Sequence, residues 1–304
     1  MIPHIQGLHH VTAFAGPAPE NNAFFTDTLG LRRVKTTVNF DNPYVYHLYF
    51  GDKNGTPGTV MTHFPDRKWS QGHRGTGEVA ITAFAVPRGS LGDWEKRLTD
   101  STRVEVFGEA QLRFPGPDGE TLALVESDDT RTPWTALPKG MAIRGFHSVT
   151  LMIADPRPTL DLLTAMGYAE AGNEGTTTRL TMDAPVGVID VMAAPDMPKS
   201  VEGAGSVHHI AFATANDESL LAVREAVIDA GMRPTEVRDR NYFHSIYFRE
   251  PGGVLFEVAT LDIGFDADEP VETLGDALKL PSQHEHLRSE LVKTLEPIDG
   301  LDLS

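Results

Sequence analysis

Apolar and polar positions follow one order several times along the chain. A strand-like apolar run comes first, then a segment with helical spacing that closes on Gly and an apolar residue, then further short runs between turn-rich segments. Gly7-Leu8-His9-His10-Val11-Thr12 and Gly145-Phe146-His147-Ser148-Val149-Thr150 are the same strand written twice, and the helical stretches after them close at Leu29-Gly30-Leu31 and Met166-Gly167-Tyr168. Each half divides again. Val79–Val86 reads as a buried strand, and Ser90-Leu91-Gly92-Asp93 as a helix start with Ser90 at the N-cap, leading through Trp94 and Leu98. In the second half Val207–Phe212 is the strand. Asn216-Asp217-Glu218 opens a helix whose apolar residues are Leu220, Leu221, Val223, Val227 and Ile228, closed by Ala230-Gly231-Met232.

The pattern predicts an α+β fold of four βαβββ modules beginning near residues 7, 77, 145 and 206, grouped in two tandem domains over 1–130 and 141–262. Asp129–Gly140, rich in Pro and Gly, reads as the linker. The repeat stops after Leu261, and 263–304 form an acidic tail with a helix expected near Glu285–Leu295. The length, 304 residues, agrees with two domains.

Composition narrows the function. With 26 Lys+Arg against 43 Asp+Glu the net charge is −17, which disfavours nucleic acid and anionic membrane surfaces as partners. The N-terminus lacks a basic start followed by an apolar run, and no apolar stretch approaches the roughly 20 residues of a membrane span, so neither export nor a membrane is expected. The chain has no cysteine, which fits a cytoplasmic protein and excludes thiolate metal sites and cysteine nucleophiles. Any metal must rest on His, Asp or Glu.

Histidine falls unevenly across the repeats. Aligning the first strands places His10 against Ala80, Ser148 and His209, and His9 against Val79, His147 and His208. Successive strand residues face opposite ways, so one member of each His-His pair is expected to look into the concave face. His10 and His209 are chosen, because the third module keeps His147 at the other position with no need of a ligand; His147 and His208 are then expected to be dispensable. The last strand, Pro251–Val258, is apolar except for Glu257, a charge that is unfavourable there unless it pairs with an arginine such as Arg240 or Arg249, or ligates. Counting from Pro57-Gly58, its counterpart in the first module is His63, which leaves a fourth ligand open. Two His and one carboxylate form the facial triad that binds non-haem Fe(II) with positions left for substrate and oxygen; Mn(II) is a substitute of the same type.

The modules with His10, His209 and Glu257 resemble the vicinal oxygen chelate superfamily over about residues 4–262. Leu8–Thr12, Tyr46–Phe50, Gly55–Thr62 and Arg240–Glu257 resemble the hydroquinone ring-cleaving dioxygenases within it. The resemblance implies cupped mixed sheets around a metal site and an Fe(II)-dependent, extradiol-type enzyme acting on a hydroquinone or related diphenol with O2. It matches His10, His209 and Glu257 to the ligands and His9, Thr12, Arg240 and Tyr247 to their catalytic neighbours. Tyr247 and His9 would take the phenol proton and steady the oxyanion, with Arg240 as electrostatic support. The catechol-cleaving branch draws its ligands from the third and fourth modules. Ser148 stands at the third-module position here, so the first module must supply one, and modules one and four must pair across the halves. A homodimer is compatible with the class. The competing readings are a glyoxalase-like isomerase or lyase, which needs a further ligand, and a non-enzymatic aromatic or drug-binding protein, which would not need the triad.

Overall fold

The computed structural model describes residues 1–134 and 136–303; Thr135 of the expected linker and Ser304 of the tail lie outside the described residues. The strands group into four βαβββ modules. The first holds β1 (Leu8–Ala15), α1 (Ala18–Ala23) running into a π-helical turn (Phe24–Thr28), β2 (Arg32–Val38), β3 (Tyr46–Gly51) and β4 (Val60–Pro65). The second holds β5 (Glu78–Pro87), α2 (Leu91–Arg97), β6 (Thr102–Val106), β7 (Glu109–Pro115) and β8 (Thr121–Ser127). The third holds β9 (Gly145–Ile153), α3 (Arg157–Ala165), β10 (Ala169–Glu174), β11 (Thr177–Thr181) and β12 (Val188–Ala193). The fourth holds β13 (Val207–Thr214), α4 (Asp217–Asp229), β14 (Arg238–Asp239), β15 (His244–Arg249) and β16 (Leu255–Thr260).

The modules pair crosswise, as the position of Ser148 required. One eight-stranded sheet runs β14-β15-β16-β13-β1-β4-β3-β2 and joins modules four and one; the other runs β10-β11-β12-β9-β5-β8-β7-β6 and joins modules three and two. β1 meets β13 antiparallel, and within each module the first strand lies parallel to the last. Leu8, Val11 and Ala13 of β1 enter one continuous apolar cluster with Phe84, Phe146, Ile210 and Phe212. Alternation with Val11 and Ala13 turns His10, Thr12 and Phe14 to the opposite, concave face.

Local signals held in some places and yielded in others. α4 has a capping box: Asn216 Oδ1 accepts from the Ser219 N–H at 3.1 Å, and the Ser219 hydroxyl oxygen accepts from the Asn216 N–H at 2.9 Å. Leu220, Val223 and Val227 are buried, whereas Leu221 and Ile228, expected on the apolar face, are exposed, because a stripe with helical period passes them by. The predicted Ser90 cap does not form. Ser90 has helical dihedrals and an unpaired buried hydroxyl, and the Leu91 N–H goes to Glu126 instead. The tail folds over the first module. Its Glu285–Leu295 helix is split into a 3-10 turn (Ser282–Leu287) and α5 (Arg288–Thr294). Leu274, Leu278 and Leu291 are buried, and the fully buried Lys35 ammonium lies 2.6 Å from Asp268 and 2.5 Å from Glu269. No described helix is long and apolar enough to cross a membrane.

Candidate metal centre

The crosswise pairing sets three strands side by side, with His10 on β1, His209 on β13 and Glu257 on β16. His10 Nε2 lies 3.3 Å from His209 Nε2 and 3.2 Å from Glu257 Oε2, and His209 Nε2 lies 2.8 Å from the same oxygen. All three side chains are buried, and their nearest atoms could hold one metal ion. Ligand atoms bound at about 2.1 Å and at right angles stand about 3 Å apart, so the triangle has the size a facial triad needs. Glu257 Oε2 receives no well-aligned hydrogen bond although two ring nitrogens face it, an arrangement a cation at the centre would satisfy. Burial alone would raise the Glu257 carboxyl; the facing His10 and His209 outweigh it and hold the group well below the usual carboxylate range. The donor set fits a divalent metal.

Both His-His pairs sit on β-bulges. Between Leu8↔Phe212 and His10↔Ala211, β1 carries one residue too many, His9; between Thr12↔His209 and Ala13↔Val207 the extra residue is His208 on β13. The bulges lift strict alternation and lay each extra ring against its neighbour: His9 Nδ1 to His10 Nδ1 is 2.9 Å, and His208 Nδ1 to His209 Nδ1 is 2.7 Å. Burial, with His10 adding to it, brings His9 down to about 3, and burial with His209 does the same for His208, so both rings are neutral. His208, expected to be dispensable, is therefore in contact with His209. It holds His209 as His9 holds His10, and it also lines the cavity. The repeated His-His dipeptide was the available signal, and it was discounted by assuming an unbroken strand.

A cavity of about 280 Å³ opens over the triad. Its walls are largely aromatic, including Phe14, Phe40, Phe64, Trp69 and Phe243, and its polar groups include His47, Arg240 and Tyr247. Phe243 closes one side, its ring 5.2 Å from those of His9 and His10. Tyr247, opposite Glu257 in the ladder, donates its hydroxyl to Glu257 Oε1 at 2.9 Å, and Arg240 Nε donates to the same hydroxyl at 3.2 Å. Burial, with Glu257 beside it, pushes the Tyr247 phenol well up, so it is a proton donor rather than a phenolate base. Burial opposes the Arg240 charge, but Tyr247 and Asp41, 3.1 Å away, hold it firmly protonated. Arg240 thus contacts Tyr247 rather than Glu257, and Arg249 pairs with Glu202.

Three further candidates lie away from the cavity. His9 and Thr12 do not line the cavity: His9 stands behind His10, and Thr12 Oγ1 bonds Thr62 Oγ1 at 2.7 Å. Thr62 in turn meets His47 Nε2 at 2.9 Å, and Tyr49 meets His47 Nδ1 at 2.8 Å, a buried relay that residue spacing alone did not reveal. His63 is not the counterpart of Glu257. Glu257 pairs with Ala211, two residues beyond His209; two residues beyond His10 is Thr12, which pairs with Thr62. The turn before β16 has one glycine more than that before β4, so counting from Pro slips the register by one and flips the side chain. His63 points into the apolar core, 4.3 Å from the Phe25 ring, with both nitrogens unpaired and burial bringing it down to about 3. In the second module the bulge falls on Ala80, so Ile81, not Ala80, matches His209.

Known proteins agree with this frame. Residues 7–258 match the family model described as the Glyoxalase/Bleomycin resistance protein/Dioxygenase superfamily. The chain is 42% identical over 312 residues, 100% of both chains, to a Bacillus subtilis (strain 168) protein provisionally named ring-cleaving dioxygenase MhqO. It is 36% identical over 314 residues, 97% of each chain, to a chlorohydroquinone/hydroquinone 1,2-dioxygenase of Sphingobium indicum. A solved Bacillus subtilis structure, provisionally named a dioxygenase, superposes with a TM-score of 0.95 at 40% identity, covering 98% of this chain and 99% of the other. The chain belongs to the glyoxalase, bleomycin resistance protein and dioxygenase superfamily.

Proposed function

We propose that the protein is an Fe(II)-dependent ring-cleaving dioxygenase acting on a hydroquinone or related diphenol. The observation that carries the reading is the buried His10, His209 and Glu257 triad at the floor of an aromatic cavity, in a chain whose relatives bear ring-cleaving names. Bound at the triad, iron would supply a Lewis acid that lowers the pKa of a ligated phenol and a redox partner for O2. The remaining work belongs to the protein. Three ligands leave positions open for both reactants. Phe14, Trp69 and Phe243 can face a flat ring and keep water away. Tyr247 holds its proton at Oη, where it fixes Glu257 Oε1 and can donate to a substrate oxygen on that side. The Arg240 charge beside the same hydroxyl stabilises negative charge arising there. His9, neutral and behind His10, sets the ring and its tautomer rather than taking the substrate proton.

Thr62, not a carboxylate or His63, stands at the fourth-ligand position, which counts against the glyoxalase-like reading. The test is oxygen consumption by anaerobically iron-loaded protein given hydroquinone, catechol and their substituted forms. Uptake with a hydroquinone is expected. Stoichiometric iron with no uptake for any diphenol overturns the proposal.

A further inference from the structure

We propose that the concave face of the second sheet, which carries no metal triad among the described residues, binds a small monocarboxylate with an apolar body through Arg113. The two sheets share their register. Thr150↔Ile81 mirrors Thr12↔His209, and Ala83↔Ala123 mirrors Ala211↔Glu257. Ser148, Ile81 and Ala123 therefore occupy the places of His10, His209 and Glu257. With these residues in those places the face holds a pocket rather than a filled core. Ile81 and Ala83 line a cavity of about 180 Å³, and Ala123 and Val125 pack against Ala83 in a cluster of mostly short apolar side chains.

Arg113 stands where Tyr247 stands in the first sheet, since Arg113↔Ala123 mirrors Tyr247↔Glu257. Its Nε is buried without a partner, and the guanidinium makes no hydrogen bond or ion pair among the described residues. A buried donor left unpaired is unfavourable, and a carboxylate matches the guanidinium fork in both charge and shape. The other charges around the cavity are engaged. Arg179 is bidentate to Asp190 at 2.8 and 2.9 Å and also bonds Glu109, and Glu174 accepts the Phe107 N–H. Asp190 and Glu174 keep the lining acidic apart from Arg113 and the paired Arg179, which favours one negative charge on the ligand and disfavours two. Gln111, Ser148 and Thr150 add polar groups around the carboxylate.

The probe is benzoate, titrated calorimetrically into the full-length protein, with phthalate as the dianionic control. One saturable site is expected, with phthalate weaker. Arg113→Gln should weaken benzoate at least tenfold. Ala83→Phe, which places a ring in the cavity from its apolar wall, should abolish binding and supplies the same test if Arg113→Gln does not fold by circular dichroism. Glu257→Ala should leave benzoate affinity unchanged, because that change lies in the other sheet. Absence of saturable binding up to about 10 mM, wild-type affinity in Arg113→Gln, or loss of binding in Glu257→Ala overturns the proposal.

Discussion

A histidine can give a metal only the nitrogen that carries no proton. At the proposed triad that nitrogen would be Nε2 of His10 and of His209, so Nδ1 would bear the proton and the Nδ1 atoms of His9 and His208 would accept it. Removing such a support typically lowers metal affinity about 10–100-fold. His208→Ala should therefore weaken iron binding by that factor in a chelator competition, while His208→Gln, which keeps an acceptor, should restore much of it; equal loss in both would assign His208 to packing alone. Glu257→Ala removes a ligand outright and should abolish both iron stoichiometry and oxygen uptake, and full iron content in that variant would dismiss the triad. His63 tests the register from the other direction. Both of its nitrogens are buried and unpaired, so His63→Leu should keep the iron and raise stability by about 1 kcal/mol in urea unfolding. Lost iron would show that His63 reaches the centre.

At the scale of the strand, alternation and repetition were readable and insertions were not. His10, His209 and Glu257 could be found because a charge or a repeated His in an apolar strand stands out against its surroundings, and Ser148 told which modules must pair. His208 was set aside because a bulge suspends the alternation assumed for it, and His63 was misplaced by one residue through a turn with an extra glycine, a slip that reverses a strand's faces. Nothing in residue type marks a bulge. The relay from Thr12 to Tyr49 was hidden for a different reason, since it depends on how three strands of the first module, β1, β4 and β3, align side by side. The turn before β16 holds the register that places Glu257, and Gly253 has a φ of 102° there, a region that side chains avoid. Gly253→Ala should lose about 1–3 kcal/mol of stability and weaken iron binding as β16 shifts. Gly231→Ala, with φ 85° at the end of α4 and open space around a new Cβ, is the control: similar strain, unchanged iron affinity. If the two variants bound iron equally, the turn would not be setting the ligand's position.

Across the molecule, the charge of −17 meets a use that composition could not disclose. Part of the acidic tail is turned inward, where Asp268 and Glu269 hold the Lys35 ammonium of the first sheet. Lys35 also lies over the Tyr242 ring at 4.7 Å, and the Tyr242 hydroxyl donates to Asp268 at 3.0 Å. Tyr242 precedes Phe243, the ring that closes the cavity beside His10. The tail therefore braces the loop at the candidate centre from behind. A buried ion pair adds little net stability over an apolar substitute, yet stripping one partner leaves a charge without compensation. Glu269→Ala leaves Lys35 with the partly exposed Asp268 as its remaining acidic partner, so it should cost about 1–3 kcal/mol in urea unfolding, and Lys35→Met combined with Glu269→Leu should recover part of that loss. The single variant should also raise KM for a diphenol more than it lowers kcat, because Phe243 would be held less firmly against the ring site. Unchanged stability in Glu269→Ala, or a double variant no better than the single one, would mean that the tail covers the sheet without bracing it.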